Sequence, residues 1–260
     1  MTSLSACETS FLVLDLETVV DTSLPALKKK DDGKDAFPPI PYHEIVVMGA
    51  ALLDSSYRIQ RIWVVSEGKN ELCMLTALTT FLNEQYAQQK AITVVGFNSR
   101  GFDMLVIAAR CLRHGIPFPW YYAQRDVRFR YSATGHFDLM DFLVDHGASR
   151  AYGLDIAARL AGSCGKVDVH GSDVAAMIAA GKIEDVRSYC LSDVAQTVVL
   201  LLRVQLLRGE LATERYIEAM TGLLEVIDRE PRLTPLRPRL DRDRLLLREA
   251  HVEAVVQKVA

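Results

Sequence analysis

Two acidic side chains, one residue apart, follow an apolar run near the start of the chain. Asp15 and Glu17 come directly after residues 11–14, which are all Phe, Leu or Val. Residues two apart on a β-strand point to the same face, so these carboxylates would project together. Holding two like charges side by side away from water is costly unless cations offset them. For an isolated Asp-x-Glu tripeptide the preferred alternative is that the strand ends at Leu14 and both acids are solvated.

Two further acidic segments lie far along the chain. Asp103 falls in the first turn of a predicted helix that directly follows a predicted strand, where the helix dipole favours a carboxylate. Tyr189 and Asp193 are four residues apart in another predicted helix, so they share one face. An ordinary helix-terminal acid and a tyrosine beside a solvated aspartate are the simpler interpretations of each segment alone. Together, four converging carboxylates would need divalent cations, a pattern typical of a metal-dependent phosphodiester hydrolase.

The ordinary pKa of a tyrosine phenol limits the roles that Tyr189 can have in catalysis. A group with a pKa of about 10 is a poor general base at neutral pH. Orienting a water that a metal has already made acidic is the more sensible role. The neighbours Val186, Val194 and Thr197 predict that this helix face is at least partly buried.

Composition bounds the class of protein. The chain has 260 residues, of which 50% are hydrophobic and 24% charged, as in a soluble globular protein with one sizeable core. No apolar run approaches the length of a membrane span and no basic secretory start is present, so no membrane association is expected. Five scattered cysteines disfavour structural zinc and disulfides, and a cytoplasmic location is expected. A net charge of −3 disfavours coating of long duplexes but permits binding of a few phosphates beside a metal.

The predicted elements alternate in an order typical of an α/β fold with a mixed central β-sheet flanked by α-helices. Strands are predicted at 11–16, 44–53, 58–65, 91–96 and 137–143. Helices are predicted at 70–89, 101–114, 154–161, 172–180, 184–207 and 211–227. A lysine-, aspartate- and proline-rich stretch predicts a flexible loop at 20–43. One domain is predicted over 1–228, followed by an arginine-rich arm or tail at 229–260.

Three motifs in sequence order give the chain a family resemblance. They are Asp15-Leu16-Glu17-Thr18, then Asn98 with Phe102-Asp103, then Tyr189-x-x-x-Asp193. Over about residues 10–205 the chain resembles the DEDD-type 3′–5′ exonucleases, in particular stand-alone relatives of the proofreading domain of family B DNA polymerases. The tyrosine spacing is that of the DEDDy version, because the histidine version needs His at position 188, which is Ser. The stretches 136–139 and 165–172 also resemble this stand-alone group.

The resemblance implies a ribonuclease H-like fold and two Mg²⁺ or Mn²⁺ ions bound by Asp15, Glu17, Asp103 and Asp193. It implies that Asp15 bridges both ions and that Glu17 and Asp193 complete the site that activates the water. Asp103 would serve the second ion, and Tyr189 would align the nucleophile. The implied reaction is in-line attack on the terminal phosphodiester of a single strand, which releases 5′-mononucleotides.

Nucleic-acid contacts are expected from residues within or beside the motifs. These residues are Thr18, Asn98, Arg100, Phe102 and Lys166. Residues 100–130 are also rich in arginine and aromatic side chains. This region is either a groove that binds phosphates on arginine and bases on rings, or a packed aromatic loop with a solvated basic face, and the sequence does not decide between them.

Three functions remain open from the sequence. The leading one is hydrolysis of single-stranded nucleic acid from the 3′ end, with DNA favoured by the polymerase-type resemblance. The second is an exoribonuclease, which would differ in its contacts to the 2′-hydroxyl groups. The third is a non-catalytic nucleic-acid-binding subunit, which the intact set of four acids and Tyr189 disfavours.

Overall fold

A five-stranded mixed β-sheet forms the centre of the protein in the computed structural model, which describes residues 9–27, 37–165 and 171–248. Its strands are β1 (Ser10–Val20), β2 (His43–Leu53), β3 (Ile59–Val64), β4 (Ile92–Gly96) and β5 (His136–Asp138). The spatial order is β3-β2-β1-β4-β5. Strand β1 pairs antiparallel with β2 and parallel with β4, and β2–β3 is an antiparallel pair whereas β4–β5 is parallel. The prediction of a mixed central β-sheet is confirmed.

Ten α-helices in the described residues flank this sheet. They are α1 (Glu71–Ala87), α2 (Asp103–His114), α3 (Pro119–Ala123), α4 (Arg125–Arg128), α5 (Leu139–Leu143), α6 (Leu154–Leu160), α7 (Val174–Ala179), α8 (Ile183–Leu207), α9 (Thr213–Arg229) and α10 (Arg242–Leu245). Helices α1 and α2 pack on one face of the sheet, and α8 and α9 pack on the other. This is the ribonuclease H-like arrangement that the resemblance implies.

Alternation along β1 divides its side chains between the two cores. Leu12, Leu14 and Leu16 belong to the core beneath α1 and α2. Phe11 and Val13 belong to the core beneath α8 and α9. Because the period of a strand is two residues, the odd-numbered acids of β1 project to the α8 side. The sequence pattern of this one strand therefore sets which helix can complete the site.

Helix α8 is the central helix of the α8–α9 core. Its residues from Val186 to Gln205 are mostly buried, and it packs against β1, β2 and β3. Within the described residues it is also the one helix that by length and composition could cross a membrane, so the expectation that no segment approaches that length is wrong. However, 83% of its apolar window is buried inside the protein. Its apolar character is that of a core helix packed against a sheet.

Two predicted boundaries need correction. β1 does not end at residue 16, because pairing with β2 continues as far as the Val20–His43 pair. The predicted strand at 137–143 is wrong beyond Asp138, because the Asp138 carboxylate accepts the backbone N–H groups of Met140 and Asp141 and starts α5. Of the segment predicted as a loop at 20–43, residues 28–36 lie outside the described residues.

The residues that follow α9 pack into the core, contrary to the predicted arm or tail. Leu233, Leu236, Leu240 and Leu245 are buried in the same core as α8 and α9. The first three are spaced by three and four residues, so short helical turns direct them to one side despite the intervening prolines and arginines. The domain therefore extends beyond residue 228 to at least residue 248, and residues 249–260 lie outside the described residues.

Candidate active site

Strand β1 contributes the first pair of carboxylates. Glu17 is buried and Asp15 is partly buried on the face that α8 covers. The carboxylates of both residues and the Cys190 thiol offer atoms within 4.8 Å of one another. Next to Glu17 the β1–β2 register shifts, so β2 carries a bulge opposite this point. Such bulges re-aim side chains and are frequent beside active sites.

Asp103, at the start of α2 on the opposite face of the sheet, contacts β1 where β1 is no longer paired with β4. The parallel pairing of β1 with β4 ends at the Val13–Val95 pair. Beyond it, the backbone N–H of Leu16 has no strand partner, and Asp103 Oδ1 accepts its hydrogen bond at 3.1 Å. The first residue of α2 is thereby attached to the strand between Asp15 and Glu17. This contact brings a third carboxylate to the site.

Helix α8 contributes Tyr189 and Asp193, which are both buried and lie one helical turn apart, so that burial and the charge of Asp193 raise the pKa of the Tyr189 phenol. The helix approaches β2 closely at Gly49, which lies opposite Asp15 in the strand register. A Cβ atom at Gly49 would lie 2.8 Å from Cys190 Sγ and 2.9 Å from Val194 Cγ2. Only glycine therefore permits α8 to lie this near β2, the neighbour of the strand that carries the acids.

The carboxylate of Asp15 interacts electrostatically with those of Glu17, Asp103 and Asp193. Burial raises the pKa of Asp15 well above its usual range, and the neighbouring charges of Glu17, Asp193 and Asp103 raise it further. Burial also raises the pKa of Asp103 to about 7, against the lowering effect of its backbone hydrogen bonds. A cluster of carboxylates that disfavour one another's ionisation is stabilised when cations bind among them.

The chemistry of these donors fits a hard divalent cation. Carboxylate oxygens are the ligands that Mg²⁺ and Mn²⁺ prefer. Cys190 Sγ lies 3.5 Å from Asp15 Oδ2, but burial raises the pKa of this thiol well above its usual range. The thiol form is a poor metal ligand, because cysteine binds metals as the thiolate. Asp15, Glu17, Asp103 and Asp193 are thus the residues of this cluster suited to hold such ions.

Asp138 is a positioning residue that the sequence reasoning did not identify. Its Oδ1 accepts the backbone N–H of Asn98 at 3.0 Å, and its Oδ2 accepts that of Arg100 at 2.8 Å. The same carboxylate caps α5 through Met140. It therefore fixes the turn between β4 and α2, which places Asp103. An aspartate between a strand and a helix is a cap signal, but its contact with a turn 40 residues earlier has no local signature.

Most residues expected to contact nucleic acid have structural partners. Thr18 Oγ1 lies 2.9 Å from His43 Nδ1, and the ring of Phe102 meets the ring of His43 edge-on at 4.8 Å. Asn98 is exposed and occupies the left-handed backbone region with φ of 59°. The guanidinium group of the half-buried Arg100 donates to the backbone oxygens of Val127 and His136, so it ties the turn before α2 to α4 and β5. Lys166 lies outside the described residues.

The structure favours the packed interpretation of residues 100–130. Phe118, Trp120 and Tyr121 are buried in the α1–α2 core. Arg110 is also buried, where it forms ion pairs at 2.7 Å with both Asp21 and Glu71. The exposed rings of Tyr122 and Phe129 lie under arginine side chains of the same region. Its arginines and rings thus largely pair with one another or with the core.

The chain matches a family model of exonucleases that are related to a polymerase domain. A family model described as a predicted 3′–5′ exonuclease related to the exonuclease domain of PolB matches residues 35–237. The match covers Asp103, Tyr189 and Asp193 and begins after Asp15 and Glu17. No curated protein matches the chain.

Solved structures with similar folds include two nucleic-acid enzymes. The family B DNA polymerase of the hyperthermophilic archaeon Pyrobaculum calidifontis is 17% identical, with a TM-score of 0.49, over 91% of this chain and 27% of the polymerase. Escherichia coli exonuclease I in complex with a dA16 oligonucleotide is 16% identical, with a TM-score of 0.34, over 73% of this chain and 43% of exonuclease I. The chain thus spans about a quarter of the polymerase and less than half of exonuclease I.

Proposed function

The chain belongs to a family of predicted 3′–5′ exonucleases related to the exonuclease domain of PolB, and from this premise we propose that it removes 5′-mononucleotides from the 3′ end of single-stranded DNA. The observation that carries the proposal is the environment of Asp15. Its carboxylate interacts with those of Glu17, Asp103 and Asp193, which come from β1, α2 and α8. Such a convergence of like charge across three elements is costly for stability and is explained by a function that needs it.

Two divalent ions, Mg²⁺ or Mn²⁺, would be held by the four carboxylates. When bound, they supply positive charge that acidifies a water molecule and stabilises the charge that develops on the phosphate. The protein's contribution is to keep these acids in fixed places. Asp103 is held by the Leu16 N–H, and Asp193 by Nε2 of Gln196.

Tyr189 orients the attacking water and does not remove its proton. Burial raises the pKa of this phenol, and the charges of Asp193, Glu17 and Asp15 raise it further. The phenol therefore stays protonated at neutral pH and acts as a hydrogen-bonding group. Its position one helical turn before Asp193 holds the water beside the acids that bind the ions.

A single-stranded substrate is favoured by an exposed ring close to Phe102, the residue before Asp103. Phe37 is 74% exposed, and its ring lies 6.1 Å from that of Phe102. Rings at such a position can stack on unpaired bases, whereas paired bases of a duplex are already stacked on each other. DNA is proposed over RNA because the family is related to the exonuclease domain of a DNA polymerase.

The experiment follows the shortening of an oligonucleotide over time, with the label at its 5′ or its 3′ end. The substrates are single- and double-stranded DNA and RNA, and each is incubated with Mg²⁺, Mn²⁺ or EDTA. We expect the 5′-labelled single strand to shorten stepwise, the 3′ label to be released as a mononucleotide, and EDTA to abolish both. Cleavage from the 5′ end, internal cleavage or no shortening would overturn the proposal. Faster hydrolysis of RNA than of DNA would instead identify an exoribonuclease.

A matched pair of variants assigns the activity to the cluster. Asp193→Asn removes one charge from the site and should lower the rate about 100-fold or more. Mutation of residues that merely hydrogen-bond to metal ligands already lowers metal affinity or activity by about 10- to 100-fold. Asp185→Asn is the control, because Asp185 is an exposed acid on the same helix. Equal rates for wild type and Asp193→Asn would show that the observed hydrolysis does not come from this site.

A further inference from the structure

A polar cavity of about 560 Å³ lies between α6 and the segment that follows α9. We name it the arginine pocket, and its polar lining is Arg159, Ser163, Cys164, Arg239, Asp241 and Arg244. The lining holds three arginines and one aspartate, and one of the arginines, Arg159, is ion-paired with Asp155 at 3.2 Å. The pocket therefore has an excess of positive charge, although the whole chain has a net charge of −3.

The wall formed by the C-terminal segment is held in place by the core. Leu245, next to Arg244, is buried, and its carbonyl oxygen accepts a hydrogen bond from the Tyr216 hydroxyl at 2.8 Å. Asp241 caps α10 by accepting the backbone N–H of Arg244 at 3.0 Å. Leu240, the neighbour of Arg239, is buried as well. These contacts fix the backbone from which the two arginines extend, so the pocket exists before any ligand binds.

The opposite wall is shaped by the turn after α6. Gly162 has φ of 92°, and a Cβ atom there would lie 3.2 Å from Cγ of Arg244. The stem of Arg244 therefore lies against the glycine, and its guanidinium donates to the Leu160 carbonyl at 3.2 Å. Burial raises the pKa of the Cys164 thiol, while the charges of Arg239 and Arg159 oppose that rise. Arg239 from one wall and Arg159 from the other thus both lie close enough to Cys164 to influence its thiol.

The arginine pocket is connected to the candidate active site by two hydrogen bonds. Ser163, on the pocket wall, donates from Oγ to Gln196 Oε1 at 3.3 Å. Gln196 in turn donates from Nε2 to Asp193 Oδ1 at 3.4 Å. The pocket therefore adjoins the site on the side of Asp193.

From this placement we propose that the arginine pocket binds a phosphate group in the backbone of the nucleic-acid strand whose 3′ end occupies the carboxylate cluster. The inference rests on the proposed function for the identity of the strand. Guanidinium groups match the oxygens of a phosphodiester in geometry and charge. No described residue lining the pocket is aromatic, so it offers no ring for the base of a free mononucleotide. Arg239 and Arg244 lie beyond the residues matched by the family model, so the family match does not assign them this role.

The test is binding of 5′-fluorescein-labelled dT16, followed by fluorescence anisotropy in EDTA over a series of salt concentrations. Arg239→Gln/Arg244→Gln should bind about tenfold more weakly than wild type at low salt, because charged hydrogen bonds are lost. The slope of log K against log salt should fall in magnitude by about 1.4, the value for two contacts to a single strand. Arg215→Gln/Arg229→Gln is the control, because both arginines are exposed on α9. Thermal unfolding checks that both double variants are folded.

Each outcome has a defined meaning. Unchanged affinity and slope in the pocket variant, or an equal loss in the control, overturns the inference. Displacement of wild-type-bound dT16 by equal concentrations of dTMP or inorganic phosphate overturns the assignment to a strand and identifies a site for small anions. Because binding is measured in EDTA, the result does not depend on hydrolysis. Absence of cleavage in the separate time course contradicts the proposed function, and an unchanged binding slope contradicts this inference.

Discussion

Replacing Gly49 with alanine tests whether the close approach of α8 to β2 sets the geometry of the site. The added Cβ would lie 2.8 Å from Cys190 Sγ and 2.9 Å from Val194 Cγ2, whereas ordinary contacts begin at 3.4 Å. The helix must therefore retreat by about 0.6 Å, or Cys190 must rotate away from Asp15. Extra methylene groups in a packed core typically cost about 1–3 kcal/mol. We expect Gly49→Ala to lower the free energy of unfolding by about that amount.

The same displacement should slow hydrolysis. A shift of about 1 Å in a reacting group costs about 100-fold, so a shift of this size should cost about tenfold. The free energy of unfolding is measured by urea denaturation, and the rate by single-turnover cleavage of 5′-labelled dT16 with Mn²⁺. Gly222→Ala is the matched control, because no atom lies within 4 Å of its added Cβ and the change favours helix α9.

The two readouts separate the possible errors. Wild-type stability for Gly49→Ala would refute the claim that α8 and β2 are in tight contact at this point. A destabilised variant with the wild-type rate would refute the claim that this contact positions Tyr189 and Asp193. A comparable loss of rate in Gly222→Ala would mean that the measured loss is not specific to the α8–β2 contact.

Two further substitutions test contacts that support the site. Asp138→Ala removes the cap of α5 and the acceptor for backbone N–H groups of the 98–100 turn. Urea denaturation should therefore show that the free energy of unfolding falls by about 3–5 kcal/mol, and cleavage should slow. Asp126→Ala, at an exposed acid, is the control and should leave both stability and rate unchanged. The hydrogen bond from Arg110 holds the pKa of Asp21 below its usual range, so the stability it contributes is present above about pH 4 and is lost as the pH falls toward the folded-state pKa. Asp21→Asn should therefore be less stable than wild type at pH 7, and the difference should shrink at pH 3; a constant difference would contradict this account.

The residues of the candidate site could be predicted where their positions depend on local structure. Asp15 and Glu17 share a face because any strand alternates, and Tyr189 and Asp193 share a face because any helix repeats about every four residues. The contact of Asp103 with Leu16 depends instead on where the β1–β4 pairing ends. That end point is a property of the assembled sheet, and sequence spacing does not contain it.

Residues that support the site from a distance could not be predicted. Gly49 matters because α8, which begins more than 130 residues later, packs on it, and Asp138 matters because its carboxylate reaches a turn in an earlier loop. The C-terminal error had a different cause. The apolar spacing of Leu233, Leu236 and Leu240 was present in the sequence, but prolines and arginines between them indicated an extended segment. Short helical turns accommodate those residues on the outside of the core.

The most direct test of the central claim is an anomalous difference map from crystals of the protein soaked in Mn²⁺. The account predicts two peaks among the carboxylates of Asp15, Glu17, Asp103 and Asp193. It also predicts that crystals of Asp15→Asn lose these peaks at the same Mn²⁺ concentration. Absence of manganese from the wild-type cluster, or peaks only at other acids of the protein, would contradict the claim that these four carboxylates form the catalytic metal site.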